Sequence, residues 1–174
     1  FNRTDSSQVK IHTVLYLFIR RCNALIIHGL LGSEIILYRL IGRRGSGESF
    51  RNGFFSETWR VRLDDRLTWA DTLLLNDPKN GALHHPAGFD GAVAMATAIY
   101  LGPDASMHLD LARNLISCTG DLVKSSATIV NGVLVIRFLG WETFSLRTAF
   151  GLFWQNFRHG VSGLPAKMPR LWEM

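Results

Sequence analysis

Three acids stand apart from the ordinary solvated carboxylates of this chain: Glu48, Glu57 and Asp71. Glu48 follows Gly45-Ser46-Gly47, where glycines let the backbone approach another group closely. Glu57 falls on the odd-numbered face of an alternating segment, together with Phe55, Trp59, Val61 and Leu63. Asp71 follows Trp69 and Ala70. An acid drawn inward needs an arginine or backbone donors, and Arg43, Arg44 and Arg60 are the candidates for that pairing. The other chemistry open to such acids is a polar path for a hard or borderline cation, for which carboxylate oxygens are suitable ligands. The residue types leave both readings open.

Other constellations carry less. Residues 42–49 fit the phosphate-loop pattern G-x-x-x-x-G-K-[ST], except that Glu48 occupies the lysine position and would repel a phosphate. The serines include no G-x-S-x-G elbow. His84 and His85 are adjacent, so in extended chain they point to opposite faces and do not share a metal; His12, His28, His108 and His159 show no ligand spacing. Asp64-Asp65 reads as a turn. No metal ligand is assigned from these spacings. Near the end, Pro169, Arg170, Leu171 and Trp172 form a stiff segment with the residue types that anchor protein partners, and packing back on the domain is the competing reading.

The 174 residues suit one domain with a real core, and 47% hydrophobic with 19% charged residues excludes a disordered chain. The net charge of +5 is dispersed among acids and apolar residues, so nucleic acid is not an expected partner. The apolar runs are interrupted by Arg20-Arg21 and by His28-Gly29, short of the roughly 18 residues a membrane-spanning helix needs. No membrane association is expected. Two distant cysteines, Cys22 and Cys118, favour a reducing, cytoplasmic setting and leave a disulfide between them open. The chain opens on Phe1, which suggests a fragment or a processed product.

These side chains must be positioned by a mainly β scaffold. Residues 9–20 read as a strand or short helix, and strands are expected over 34–41, 54–63 and 67–75, the last two forming a hairpin. An alanine-rich buried strand is expected over 92–101. A helix follows from Pro103-Asp104 to about Ser117, with Asp104 as its N-terminal cap. Asn131-Gly132 predicts a tight hairpin between 126–130 and 133–139, since both central positions tolerate positive φ. A second helix is expected over 142–158, with Phe144, Ala149, Phe150, Phe153, Trp154 and Phe157 apolar and Gly160 just past its end. Pro165 and Pro169 hold the remainder out of helix. The order of elements gives an α+β, mainly β class.

The combination G-R-x-x-x-G-E at residues 42–48 (Gly42, Arg43, Gly47, Glu48), E-x-W-R-V-R at 57–62 (with Trp59 and Arg60), L-T-W-A-D at 67–71, the small-residue strand at 91–105, the N-G hairpin with V-L-V-I-R, and L-P-x-x-x-P-R-L-W at 164–172 resembles the urease accessory protein UreD (UreH) family. The resemblance covers residues 33–174 and implies stacked, helically arranged strands with two helices. It also implies a non-catalytic role in urease maturation: a scaffold acting with UreF and the GTPase UreG on apo-urease, assisting nickel delivery through a water-filled route, with nickel transient and no tightly bound cofactor. Glu48, then Asp71 and Glu57, become candidates for that path or its support. Residues 1–32 do not resemble the β region that family members carry before the first motif, so an incomplete stack with an exposed edge that a partner must cover is expected. The competing class is a small basic hydrolase or transferase with an unplaced catalytic acid.

Overall fold

In the computed structural model the described residues are 14–19, 28–29, 35–42, 55–63, 66–75, 81, 83–117 and 119–168, with side chains described at 59–61, 66–73, 81, 83–117 and 119–168. Among the described residues eight strands appear: β1 (Val14–Ile19), β2 (His28–Gly29), β3 (Ile35–Gly42), β4 (Phe55–Leu63), β5 (Arg66–Leu75), β6 (Ala94–Leu101), β7 (Val123–Val130) and β8 (Val133–Gly140). Helix α1 spans Leu109–Ile116 and α2 spans Thr143–Ser162, and a short 3₁₀ turn, Ala105–His108, leads into α1.

A five-stranded antiparallel sheet runs β1-β3-β6-β8-β7, and a three-stranded sheet runs β2-β4-β5. In the smaller sheet β4 and β5 are the antiparallel hairpin read from sequence, whereas β2 joins β4 in parallel. The larger sheet is covered on both faces at its centre. Toward the helices, Ala94, Ala96, Ala98 and Tyr100 of β6 and Leu134, Ile136 and Phe138 of β8 meet Leu146, Phe150, Phe153, Trp154 and Phe157 of α2. Toward the small sheet, Ile99, Leu101, Val133 and Val135 meet Val61 and Trp69. A strand covered on both sides has no polar face to show, which is why β6 reads as one apolar run and is buried at all eight positions. The edge strand β7 alternates instead.

The alanine row matters for packing. Three small side chains in register let α2 approach closely, and its aromatic rings fill the layer: Phe138 and Phe150 meet edge to face at 5.4 Å, while Phe153 and Phe157 stack at 5.2 Å. Between β7 and β8 the turn residues Asn131 and Gly132 have φ of 50° and 79°, the geometry the dipeptide predicts.

Three expectations need correction. The helix expected over 103–117 is split into the 3₁₀ turn and α1, and Asp104 makes no side-chain cap; its carboxylate instead accepts hydrogen bonds from Tyr100 and His108. Helix α2 runs past Gly160 to Ser162, and Gly163, at φ 66°, is the left-handed residue that ends it. Phe144, counted with the apolar face, is 74% exposed, while Leu146 two residues on is the one that packs into the core. The turn at Asp64-Asp65, Cys22 and Cys118 lie outside the described residues.

Candidate functional site

Asp71 stands in the middle of β5, directly opposite Trp59 of β4. Its Oδ1 accepts a hydrogen bond from Arg137 Nη2 of β8 at 3.0 Å, an ion pair that joins the two sheets. Asp71 is largely covered, and Arg137 is half exposed. The inward acid therefore has an arginine partner, Arg137; Arg43 and Arg44 lie outside the described residues. Arg60 lies opposite Ala70 and is exposed. Trp59 packs edge-on against Trp69 with centroids 6.0 Å apart.

Arg137 belongs to a row across the large sheet, in which Arg39, Thr97, Arg137 and Ser126 occupy successive register positions. Thr97 is fully buried, and its hydroxyl finds no hydrogen-bond partner among the described residues. A polar row thus crosses an otherwise apolar layer at the point where Asp71 meets it. Asp71 and Arg137 both line a cavity of about 410 Å³, together with Leu73, Phe89, Met95, Lys124, Ser126 and Leu139.

The loop over the cavity is held by specific bonds. Lys124 Nζ pairs with Asp90 at 3.2 Å and lies 4.9 Å from the centre of the Trp141 ring, whose Nε1 donates to the Asp90 carbonyl at 3.2 Å. Asp90 itself has φ 51° and is followed by Gly91 at 76°. His84 and His85 are both exposed in this loop, and His85 Nδ1 accepts the Ala87 N–H at 3.0 Å, consistent with a surface-loop role.

The arrangement engages one carboxylate oxygen of Asp71 with a guanidinium nitrogen of Arg137. Among the described residues, no group of three or more His, Cys, Asp or Glu side chains converges. Glu57 stands opposite Leu73, two positions along β4 from Trp59, and Gly42 ends β3 opposite Ala94. Arg43, Gly47, Glu48, Pro169, Arg170, Leu171 and Trp172 lie outside the described residues. Sequence reasoning missed Arg137 as the partner of Asp71. Its signal was available: it is the one charged residue in the apolar strand VLVIRFLG.

Residues 29–173 match the family model described as UreD urease accessory protein. A relative from Magnetococcus marinus (strain ATCC BAA-1437 / JCM 17883 / MC-1), named Urease accessory protein UreD, is 38% identical over 148 residues, covering 83% of this chain and 50% of that protein. Two further proteins of the same name, from Methylobacterium sp. (strain 4-46) and Granulibacter bethesdensis (strain ATCC BAA-1260 / CGDNIH1), are 38% and 35% identical. They cover 77% and 82% of this chain and 46% and 57% of their own lengths. The chain spans about half the length of the relatives it matches.

Proposed function

The chain belongs to the UreD urease accessory protein family, and from that premise we propose that it serves urease maturation as a non-catalytic assembly factor that docks on apo-urease and assists nickel delivery together with UreF and UreG. The observation that carries this reading is the match to the family model over residues 29–173. Nickel in this scheme is cargo. Glu48, Glu57 and Asp71 support its passage, and Pro169, Arg170, Leu171 and Trp172 contribute to partner contact. The pairing of Asp71 with Arg137 supports a role for Asp71 in holding the two sheets in register beside such a passage, since an acid already engaged by a guanidinium is a poor open ligand.

Complementation tests the proposal. Cells lacking their own UreD and expressing this chain are expected to regain urease activity, and Glu48→Ala is expected to lower it. Affinity capture of the chain is expected to bring down UreF or apo-urease. Absence of both activation and capture overturns the assignment, whereas activation that Glu48→Ala leaves unchanged removes Glu48 alone.

A further inference from the structure

The turn between β7 and β8 carries a chemistry that the maturation role does not use. Asn131 and Gly132 are both exposed, with φ of 50° and 79°. Val130 pairs with Val133, so the ladder closes around the two turn residues and, among the described residues, takes up neither of their N–H groups. The side-chain amide of Asn131 reaches across to the Thr68 carbonyl of β5 at 3.1 Å. We propose that Asn131-Gly132 is a site of spontaneous covalent modification, at which water converts the asparagine to aspartyl and isoaspartyl linkages and the tie between the two sheets is lost.

The reaction needs no reagent besides water. The Gly132 backbone nitrogen attacks Cγ of Asn131 and forms a new N–Cγ bond. The Cγ–Nδ2 bond breaks, and Nδ2 leaves as ammonia with the proton that Gly132 gives up. Water then opens the cyclic imide. Opening at the new bond leaves aspartate at 131, whereas opening at the original peptide bond leaves the chain running through the side chain as isoaspartate. The sum is amide plus water to acid plus ammonia, with nothing oxidised or reduced.

Asparagine is among the thermally labile side chains, and glycine is the neighbour that favours this attack, because no side chain shields its nitrogen and its backbone reaches conformations closed to other residues. Asn114 and Asn156 lack that advantage: they lie within α1 and α2 and are followed by Leu115 and Phe157. The bond to Thr68 sets the consequence of the reaction. In aspartate the donor Nδ2 is replaced by a carboxylate oxygen, which faces the Thr68 carbonyl as acceptor against acceptor. An isoaspartyl linkage adds a methylene to the main chain of a turn that fixes the Val130–Val133 register. The inference is independent of the urease reading, since its readout is the chemistry of the chain itself.

The test incubates the full folded chain in mildly alkaline buffer, beside a synthetic peptide of residues 128–135, for several half-lives of the peptide. Digestion and mass spectrometry read each asparagine separately, which is needed because Asn52-Gly53 and Asn80-Gly81 repeat the dipeptide. The folded chain is expected to gain acid at 131 in both linkage forms, more slowly than the peptide because the amide is held, with Asn114 and Asn156 unchanged. Its urea midpoint is expected to fall during incubation further than that of Asn131→Gly, which keeps the turn and cannot react at 131. On full conversion the difference corresponds to about a fivefold loss in the folding equilibrium, the effect of one hydrogen bond. An amide still intact at 131 when the peptide is fully converted, or conversion of Asn114 or Asn156 to the same extent, overturns the site. Equal falls in the two chains overturn the loss of the tie.

Discussion

The side-chain amide of Asn131 donates to the carbonyl of Thr68 at 3.1 Å, tying the β7–β8 turn to the neighbouring sheet. Thr68 is the residue that the register leaves without a partner, since Val61 pairs with Trp69 and Arg62 with Leu67. The bulge therefore exposes a carbonyl that the turn residue of the other sheet satisfies. Asn131 has two tasks: it adopts positive φ, and it bridges the sheets.

These tasks separate by mutation. Asn131→Gly keeps the turn and loses the bridge, an expected cost of about 1 kcal/mol. Asn131→Ala loses the bridge and adds left-handed strain, for a total of about 2–3 kcal/mol. Urea unfolding of the two variants checks the order; equal costs would show that the turn strain contributes nothing, and an unchanged stability in Asn131→Gly that the bridge does not.

Asp71 and Arg137 are expected to be coupled. Because Arg137 is half exposed, solvent screens the pair, and a double-mutant cycle with Asp71→Asn and Arg137→Met is expected to give a coupling of about 1 kcal/mol. The single change at Asp71 is also expected to alter Trp fluorescence, since Trp59 stands opposite it in the ladder. Additive single changes would mean that the contact holds the sheets no better than water does.

The Asp104 carboxyl gives a pH prediction. Burial pushes its pKa up, but hydrogen bonds from Tyr100 and His108 outweigh that and hold it below the usual 3.8. A depressed folded value means that the ionised form stabilises the fold above the unfolded pKa, and that this contribution fades as pH falls through the folded value. The stability gap between wild type and Asp104→Asn is expected to be flat above about pH 5 and to shrink below about pH 4. Denaturant melts across that range measure it, and a gap that widens on acidification would reverse the sign.

Gly140 ends β8 where α2 begins, and a Cβ there would fall 2.7 Å from Leu146 Cβ and 3.2 Å from the Glu142 carbonyl. Neither neighbour is the free end of a flexible side chain. Gly140→Ala is expected to cost about 1–3 kcal/mol by overpacking, with thermal unfolding as the measurement. By contrast, Gly120, at φ 75° with open space around it, penalises alanine through backbone strain alone.

The sequence made the strands and the Asn131-Gly132 hairpin legible because local alternation and turn chemistry decide them. It could not show which sheet each strand joins. The partner of Asp71 was obscured for the same reason: Arg137 lies 66 positions away and meets it only after the sheets stack. Asp104 looked like a helix cap because its residue type favours that role, yet Tyr100 and His108 compete for both oxygens and win them. Gly160 looked like a helix end because glycine commonly is one, but Gly163 takes the left-handed position. Of the candidate acids, Asp71 alone has a described side chain, and it pairs with Arg137 across the two sheets.

The order β3-β6-β8 in the large sheet, with β4 and β5 sent to the opposite layer, also has a kinetic meaning. β7 and β8 close across a two-residue turn, whereas β3 reaches β6 only after the whole intervening hairpin has been laid aside. Loop-closure entropy makes that long-range step the slow one. On loop length alone, β7, β8 and α2 are expected to condense before β3 pairs with β6.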